Sequence, residues 1–177
     1  MSARRPRRPP RSPNTTLRRR SRRGRRSSAE APNPILTERE NVLDTDAALD
    51  AFAAAFAATL RPGDVVAMRG PLGAGKTTLV RALVRALHGS DERVSSPTFV
   101  FRQRYPGQPP VEHLDLYRLT DPAELPDLAL DEAFTPDALV LIEWPERAEA
   151  WLPAKRIEVA IEGSGDGPRT VWVSRSG

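Results

Sequence analysis

The stretch GPLGAGKTT, from Gly70 to Thr78, constrains this chain more than any other part of it. It fits the phosphate-binding pattern G-x-x-x-x-G-K-[ST], in which glycines let consecutive backbone N–H groups come close to phosphate oxygens. The pattern places the Lys76 ammonium against the β- and γ-phosphates and the Thr77 hydroxyl on Mg²⁺. The candidate nucleotide-binding residues are Leu72, Gly73, Ala74, Gly75, Lys76, Thr77 and Thr78.

The sequence on either side of this loop has the order that a phosphate site requires. DVVAMRG, residues 64–70, is a short apolar run that predicts a buried strand directly before the loop. After the loop, apolar residues recur at helical spacing as far as Gly89, a predicted C-terminal cap. Such a helix points its N-terminal N–H groups at the same anion. This order favours a true phosphate site over a glycine-rich turn with an incidental lysine.

Charge divides the 177-residue chain into two parts. Residues 1–29 hold 12 arginines and no acid, whereas 15 basic and 23 acidic residues follow from Glu30 onward, a net charge of −8. The first 34 residues contain six prolines and almost no large apolar side chain, so they cannot bury enough surface to fold. We therefore expect a disordered Arg/Pro-rich tail over residues 1–41 and one P-loop ATPase domain over residues 42–177.

The tail has three interpretations. Arginine runs attract RNA phosphates without sequence preference, but no aromatic residue accompanies them to stack on bases. A solvated tail is therefore the simpler interpretation, and weak RNA contact is the functional one. An organellar transit peptide has a similar composition, but the prolines oppose its amphipathic helix.

Composition also excludes several classes of protein. The chain has no cysteine, so it forms no disulfide and no thiolate metal site, which fits a cytoplasmic location. No apolar run approaches about 20 residues, and we expect no membrane-spanning segment.

The remaining sequence predicts an α/β domain. Thr45 can cap a helix whose apolar residues, from Leu49 to Leu60, repeat at steps of three and four. Further strands are predicted at residues 98–105, 111–119, 138–142, 157–161 and 170–174. Short helices are predicted to open at residues 121–122, to run over 128–134 and to lie around 146–151. The first two of these strands flank the turn formers PGQPP and predict a hairpin. We expect a partly parallel core sheet with hairpins added at an edge.

Two acidic residues stand where they can face the loop. Glu143 ends the apolar run ALVLI, and open α/β sheets bind ligands at the carboxyl ends of their strands, so we predict that it holds Mg²⁺ opposite Thr77. Asp115 shares a polar strand face with His113, and we predict that it orients the attacking water or a γ-phosphate-sensing loop. The simpler interpretations are an exposed edge carboxylate for Asp115 and a packing residue for His113. Thr98 lies where a loop could carry a hydroxyl to the γ-phosphate.

Four motifs in order resemble the TsaE family: GPLGAGKTT, then SPTF at 96–99, HLDLYRL at 113–119 and LIEWPE at 141–146. The similarity covers about residues 42–174. It implies a three-layer P-loop NTPase-like fold, with a mixed sheet and an antiparallel hairpin at its edge. It also implies an ATPase of low intrinsic activity that uses ATP and Mg²⁺. Such an ATPase works with the proteins TsaB and TsaD to form threonylcarbamoyladenosine at position 37 of tRNAs reading ANN codons.

The resemblance assigns roles to residues one by one. Lys76 and Thr77 match the phosphate and Mg²⁺ positions, and Glu143 matches a family Mg²⁺ position. Asp115 matches the acidic residue of the family motif H-x-D-x-Y-R, and Thr98 matches the threonine of its S-P-T motif. These three residues, Asp115, Glu143 and Thr98, are the catalytic candidates.

Two further residues are assigned by the resemblance alone. Trp144 matches a family tryptophan beside the site, and Asp46 falls by spacing where the family contacts the nucleotide. The arginine tail has no family counterpart. The family role would bring tRNA close only indirectly, through the partner proteins.

Two alternatives come from other functional classes. A small-molecule or nucleoside kinase shares the loop and the size, but such kinases carry a lid whose arginines clamp the transferred phosphoryl group. Here the region after the loop helix predicts a hairpin, with Arg102, Arg104 and Arg118 as its nearby basic residues. An RNA-binding adaptor that works through its tail would lose RNA affinity without residues 1–28.

Overall fold

A seven-stranded mixed sheet forms the centre of the fold. The computed structural model describes residues 40–89, 94–165 and 167–176. The strands are β1 (Asn41–Leu43), β2 (Val65–Arg69), β3 (Arg102–Tyr105), β4 (Val111–Asp115), β5 (Leu139–Glu143), β6 (Arg156–Glu162) and β7 (Arg169–Ser176). Their order across the sheet is β1-β7-β6-β2-β5-β4-β3.

The middle of the sheet is parallel and its edges are antiparallel. β2 lies parallel to both β5 and β6, and β4 lies parallel to β5. β1, β7 and β3 pair antiparallel with their neighbours. The register sets Glu143 level with both Met68 and Asp115. Because parallel strands end at the same edge, the loop after β2 and both predicted acids meet there.

Two α-helices cover one face of the sheet. The first, α1 (Asp46–Ala57), is capped as predicted by Thr45, whose hydroxyl accepts the Ala48 N–H at 3.1 Å. The second, α2 (Lys76–His88), ends at Gly89, which has the left-handed conformation predicted for it. Their apolar sides, including Phe56 and Leu83, are fully buried in one hydrophobic cluster with this face of the sheet.

Four short 3-10 helices in the described residues pack on the opposite side of the sheet. They are Pro122–Leu128, Leu130–Ala133, Pro145–Arg147 and Glu149–Trp151. Their buried residues, such as Leu125 and Leu130, form a second cluster with Leu114, Val140 and Ile142. The predicted short helices are therefore present in the tighter 3-10 form, which is typical of short segments. The expected three-layer α/β fold, with a hairpin at the sheet edge, is confirmed.

The structure corrects three expectations. The strand predicted over residues 98–105 begins only at Arg102, because residues 98–100 form a turn in which the Val100 and Phe101 N–H groups donate to Pro97 O. The strand predicted over residues 111–119 ends at Asp115. The three-residue strand β1 was not predicted, because it depends on pairing with the distant β7.

The predicted tail falls almost wholly outside the described residues, of which only Glu40 and Asn41 belong to it. Its disorder stays a prediction. Among the described residues, no helix combines the length and the apolarity needed to cross a membrane.

Candidate functional site

A cavity of about 350 Å³ opens at the carboxyl edge of the parallel strands. Its lining residues are Leu72, Gly73, Gly75, Lys76, Thr77, Thr78, Ser96, Thr98, Asp115, Tyr117, Glu143, Trp144 and Arg169. Most of the predicted site residues are therefore brought together here from four separate parts of the chain. Ser96, Tyr117 and Arg169 are additional members.

The glycines of the phosphate loop are required by the space around them. Gly70 has a φ of 152°, and a Cβ there would lie 2.4 Å from the Ile161 carbonyl oxygen. Gly75 has a φ of 97°, and a Cβ there would lie 2.7 Å from Arg169 Nε. Gly75 immediately precedes α2 and has no side chain to cap it. The first N–H groups of α2 therefore stay available to an anion.

Lys76 is a buried cation at the mouth of this loop. Its Nζ donates to the carbonyl oxygens of Gly70 at 2.7 Å and Pro71 at 2.9 Å. The same ammonium lies 3.6 Å from the centre of the Trp144 ring. Burial lowers the pKa of Lys76 below its ordinary value, and the nearby carboxylates, chiefly Glu143, oppose this shift. The lysine is thus fixed in place by groups that do not neutralise it.

Thr77 and Glu143 form the pair predicted to hold a magnesium ion. The Thr77 hydroxyl donates to Glu143 Oε1 at 2.7 Å and lies 3.0 Å from Oε2. Within the described ranges, no three His, Cys, Asp or Glu side chains cluster to hold a metal by themselves. Mg²⁺ bound with a nucleotide needs only one or two protein ligands besides phosphates and waters, so a hydroxyl and a carboxylate fit it.

His113 lies behind Glu143, outside the cavity lining. Its Nε2 lies 2.9 Å from Glu143 Oε1, and because a carboxylate only accepts, the ring donates from Nε2. The ring is fully buried and stacks on Tyr105, with 6.3 Å between ring centres. These contacts support the packing and hydrogen-bonding interpretation of His113 over that of a general base.

Asp115, the last residue of β4, is hydrogen-bonded to the loop that precedes β3. Its Oδ2 accepts from the Thr98 hydroxyl at 2.7 Å and from the Ser96 hydroxyl, and its Oδ1 accepts the Tyr117 N–H at 3.0 Å. Only 2% of Asp115 is exposed, because β3 and β5 cover β4 on both sides. The alternative of an exposed edge carboxylate is therefore wrong.

Trp144 follows Glu143 in a conformation that bulky residues rarely adopt. Its φ is 59° and its ψ is 48°, in the left-handed region. Its ring contacts both the Lys76 ammonium and the Tyr117 ring, whose centre is 5.0 Å away. Such an outlier at a cavity indicates a functional constraint, which agrees with the predicted place of Trp144 beside the site.

Of the three lining residues that were not predicted, Arg169 is the one that lies outside every motif. It is the first residue of β7, and its side chain lies against Gly75. One guanidinium nitrogen donates to Gly165 O at 3.1 Å, whereas the buried Nε has no hydrogen-bond partner in the described part of the chain. A motif search has no signal for it, because only the pairing of β7 with β6 and β1 brings it to the loop.

Two predicted residues lie outside the lining. Ala74 is fully buried within the phosphate loop, and its N–H donates to Pro71 O at 3.2 Å. Asp46 is the exposed first residue of α1. A nucleotide-binding role for either residue stays a prediction.

Comparisons with known proteins agree with the motifs. Residues 43–171 match the family model described as "Threonylcarbamoyl adenosine biosynthesis protein TsaE". A Bacillus subtilis protein named "tRNA threonylcarbamoyladenosine biosynthesis protein TsaE" is 39% identical over 128 residues, covering 72% of this chain and 79% of its own. A Rickettsia bellii protein of the same name is 38% identical over 133 residues, covering 73% and 90%.

A solved structure shares the fold as well. The crystal structure of Bacillus subtilis YdiB superposes with a TM-score of 0.66 at 30% sequence identity, covering 80% of this chain and 88% of the other. The matched range contains all four motifs and the site built from them. The chain therefore belongs to the TsaE family, whose role lies in tRNA threonylcarbamoyladenosine biosynthesis.

Proposed function

We propose that the protein binds and hydrolyses ATP with Mg²⁺ in the cytoplasm. In this way it supports a TsaB–TsaD complex that forms threonylcarbamoyladenosine at position 37 of tRNAs reading ANN codons. The observation that carries the proposal is the contact of Thr77 with Glu143 beside the phosphate loop. A hydroxyl that donates to a carboxylate keeps its oxygen lone pairs free for a metal ion.

The part of the site that is formed by the phosphate loop and the start of α2 binds and orients the nucleotide. Backbone N–H groups at the start of α2 and the Lys76 ammonium receive the phosphate oxygens. Glu143 holds the Thr77 hydroxyl in position, and His113 in turn holds Glu143. When bound, Mg²⁺ neutralises negative charge on the phosphates.

Asp115 and Thr98 act on the other side of the cavity. The Thr98 hydroxyl is already at the cavity wall, held there by Asp115. A γ-phosphate oxygen would compete with Asp115 for this hydroxyl, so the loop responds to which nucleotide is present. Asp115 also offers a buried carboxylate that can orient the attacking water.

Arg169 extends the nucleotide site beyond the motif. Its buried Nε lies against the loop without a partner among the described residues, and unsatisfied donors of this kind are costly unless a ligand accepts from them. A phosphate or ribose oxygen of the nucleotide would satisfy it.

The surface around the cavity suits a partner protein. Phe99 is 79% exposed, and Leu72 and Val100 are also mostly exposed. Leu72 lies in the phosphate loop, and Phe99 follows Thr98 directly. Exposed apolar side chains that together form a patch are typical of protein–protein interaction surfaces. We therefore place the TsaB–TsaD contact on this side, where it can sense the nucleotide.

The arginines near the cavity argue against the kinase alternative. Arg102 and Arg104 are bound to the buried Glu112, and the Arg118 guanidinium stacks on the Phe99 ring at 4.1 Å. Among the described residues, the basic side chains that line the cavity are Lys76 and Arg169. The arginine clamp that a phosphoryl-transfer lid needs is therefore not available from this hairpin.

A pull-down from native lysate, with and without ATP, tests the partner assignment. We expect TsaB and TsaD to be recovered with the wild-type chain and to depend on the nucleotide. ATP hydrolysis measured with purified TsaB and TsaD should rise above that of the chain alone, and the Lys76→Ala variant should remove both signals. Phosphate transfer to a nucleoside without net hydrolysis would favour the kinase instead.

A further inference from the structure

A second cavity lies at the opposite edge of the sheet, where β2 and β6 begin and β7 ends. Its volume is about 590 Å³. Four basic residues line it, namely Arg61, Lys155, Arg156 and Arg175, and Asp64 is the only acid among the described residues that do so. We call these five residues the basic cleft.

The basic cleft stands out against the acidic net charge of the sequence that follows the arginine-rich start. From Glu30 onward the chain has a net charge of −8, yet four of its 15 basic residues meet here. Asp64 accepts the Arg61 backbone N–H at 2.8 Å and lies 3.7 Å from Arg175. One lining carboxylate therefore faces three cations besides Arg156, which has its own carboxylate partners, and a concave wall focuses such a field.

Three of these cations are available to a ligand. The Arg61 guanidinium donates to Ala58 O at 3.2 Å and Leu60 O at 3.0 Å, which fixes it without adding a neutralising carboxylate. Arg175 has a side chain that is 40% exposed, and Lys155 is exposed with no carboxylate partner in the described ranges. Arg156 differs, because it is bound by Glu149 and Glu158 and serves the local structure.

We propose that the basic cleft binds phosphates of an RNA backbone, so that the protein contacts tRNA directly as well as through its partners. A cavity of about 590 Å³ lined by four basic side chains has room for more than one phosphate group, and basic side chains attract backbone phosphates without sequence preference. No aromatic side chain among its described lining residues offers a stacking surface, which favours backbone over base contacts. The TsaE family acts in a pathway whose substrate is tRNA.

The position of the basic cleft adds a further argument. This cleft lies at the other end of the strands from the nucleotide cavity, and RNA bound in it would leave that cavity open.

Fluorescence anisotropy of a labelled tRNA transcript, titrated with the full chain at several salt concentrations, tests the proposal. The test uses the double variant Lys155→Ala and Arg175→Ala. Arg61 is not changed because its side chain also binds the end of α1. The matched control, Arg85→Ala with Arg147→Ala, removes two exposed cations elsewhere. Each phosphate contact contributes roughly 0.7–0.9 to the salt slope, so the first variant should lose about 1.5 from the slope and about tenfold in affinity near 0.1 M salt.

The control variant keeps the arginine tail and loses the same amount of positive charge. If RNA binds specifically in the basic cleft, the cleft variant must therefore lose more RNA affinity than the control. Equal losses in both variants, or no loss in either, would overturn the proposal. The single variant Lys155→Glu, at an exposed position, should reproduce the loss in a chain with an unchanged melting temperature. ATP affinity should stay at the wild-type value in every cleft variant, so this test and that of the proposed ATPase fail independently.

Discussion

The two sides of the candidate nucleotide site are held in different ways. On the phosphate side, Lys76, Thr77 and Glu143 belong to α2 and β5, whose backbones are fixed by the buried centre of the sheet. On the opposite side, Ser96 and Thr98 belong to a loop segment that reaches the site through hydroxyl contacts to Asp115. We call these the phosphate side and the loop side.

The difference indicates a division of labour. Groups fixed by core packing are preorganised, which suits tight binding of a charged ligand. Groups held by a few hydrogen bonds to one carboxylate can exchange those partners at little cost, which suits a response to the γ-phosphate. Changes on the phosphate side should therefore affect affinity first, and changes on the loop side should affect the rate.

The largest effect is expected from Lys76→Ala on the phosphate side. Hydrogen bonds to charged groups contribute about 1.5–3 kcal/mol each, so losing the ammonium should weaken Mg·ATP binding by about 100-fold and bring hydrolysis to background. Isothermal titration calorimetry measures the affinity, with Arg85→Ala, at an exposed residue outside the cavity, as control. Wild-type hydrolysis in Lys76→Ala would contradict the assignment of the phosphate loop.

The next largest effect compares one carboxylate from each side. Asp115→Asn should keep ATP affinity and lower the hydrolysis rate by about 10²–10⁴, the range for a positioned acid–base group. Glu143→Gln should weaken Mg·ATP binding and hydrolysis together, because it removes the negative charge beside the Thr77 hydroxyl while keeping an acceptor for it. Affinity and single-turnover rates would be measured for both variants. If both variants lost affinity and rate to the same extent, the division of labour would be contradicted, but the ATPase proposal would not.

A smaller effect is expected when only the loop contact changes. Thr98→Ala loses the hydroxyl that Asp115 holds and should lower the rate by about tenfold, near the lower end of the range for one hydrogen bond to a charged group. Thr98→Ser keeps the hydroxyl and should recover most of the rate. If the two variants were equally slow, the threonine would matter through its methyl group and the loop side would need another explanation.

The smallest effect is expected from Trp144→Phe. The change keeps an aromatic ring under the Lys76 ammonium but weakens a contact of about 0.5–1 kcal/mol, so ATP affinity should fall about two- to fivefold. The same variant identifies the fluorescence signal, because Trp151 and Trp172 remain in it. If the ATP-induced fluorescence change is undiminished in this variant, the signal comes from another tryptophan.

The local sequence was enough to predict the phosphate side. Gly70, Gly75, Lys76 and Thr77 lie in one motif, and Glu143 ends a continuous apolar run, so their positions follow from neighbours in the chain. Short-range signals of this kind also predicted both α-helices, the N-cap of α1 at Thr45 and the C-cap of α2 at Gly89, but α1 ends earlier than predicted, at Ala57.

The residues that could not be predicted depend on distant pairing. Arg169 reaches the loop only because β7 pairs with β6 and β1, and the sequence around it carries no motif. The turn at residues 98–100 overrides the β propensity of Phe99 and Val100, since Thr98 is bound to Asp115 instead of continuing a strand. Tertiary contacts decide such positions, so neither composition nor periodicity reveals them.

The ends of the sheet have a consequence for the behaviour of the protein at high concentration. An open sheet offers unpaired N–H and C=O groups at its two outer strands, where another chain can add a strand and begin aggregation. Here β1 is only three residues long, and β3 is four residues long and carries Arg102 and Arg104, both bound to the buried Glu112. A second molecule that paired with β3 would have to approach these cations or release them from a buried carboxylate. The ion pairs therefore help to keep the folded chains separate in solution.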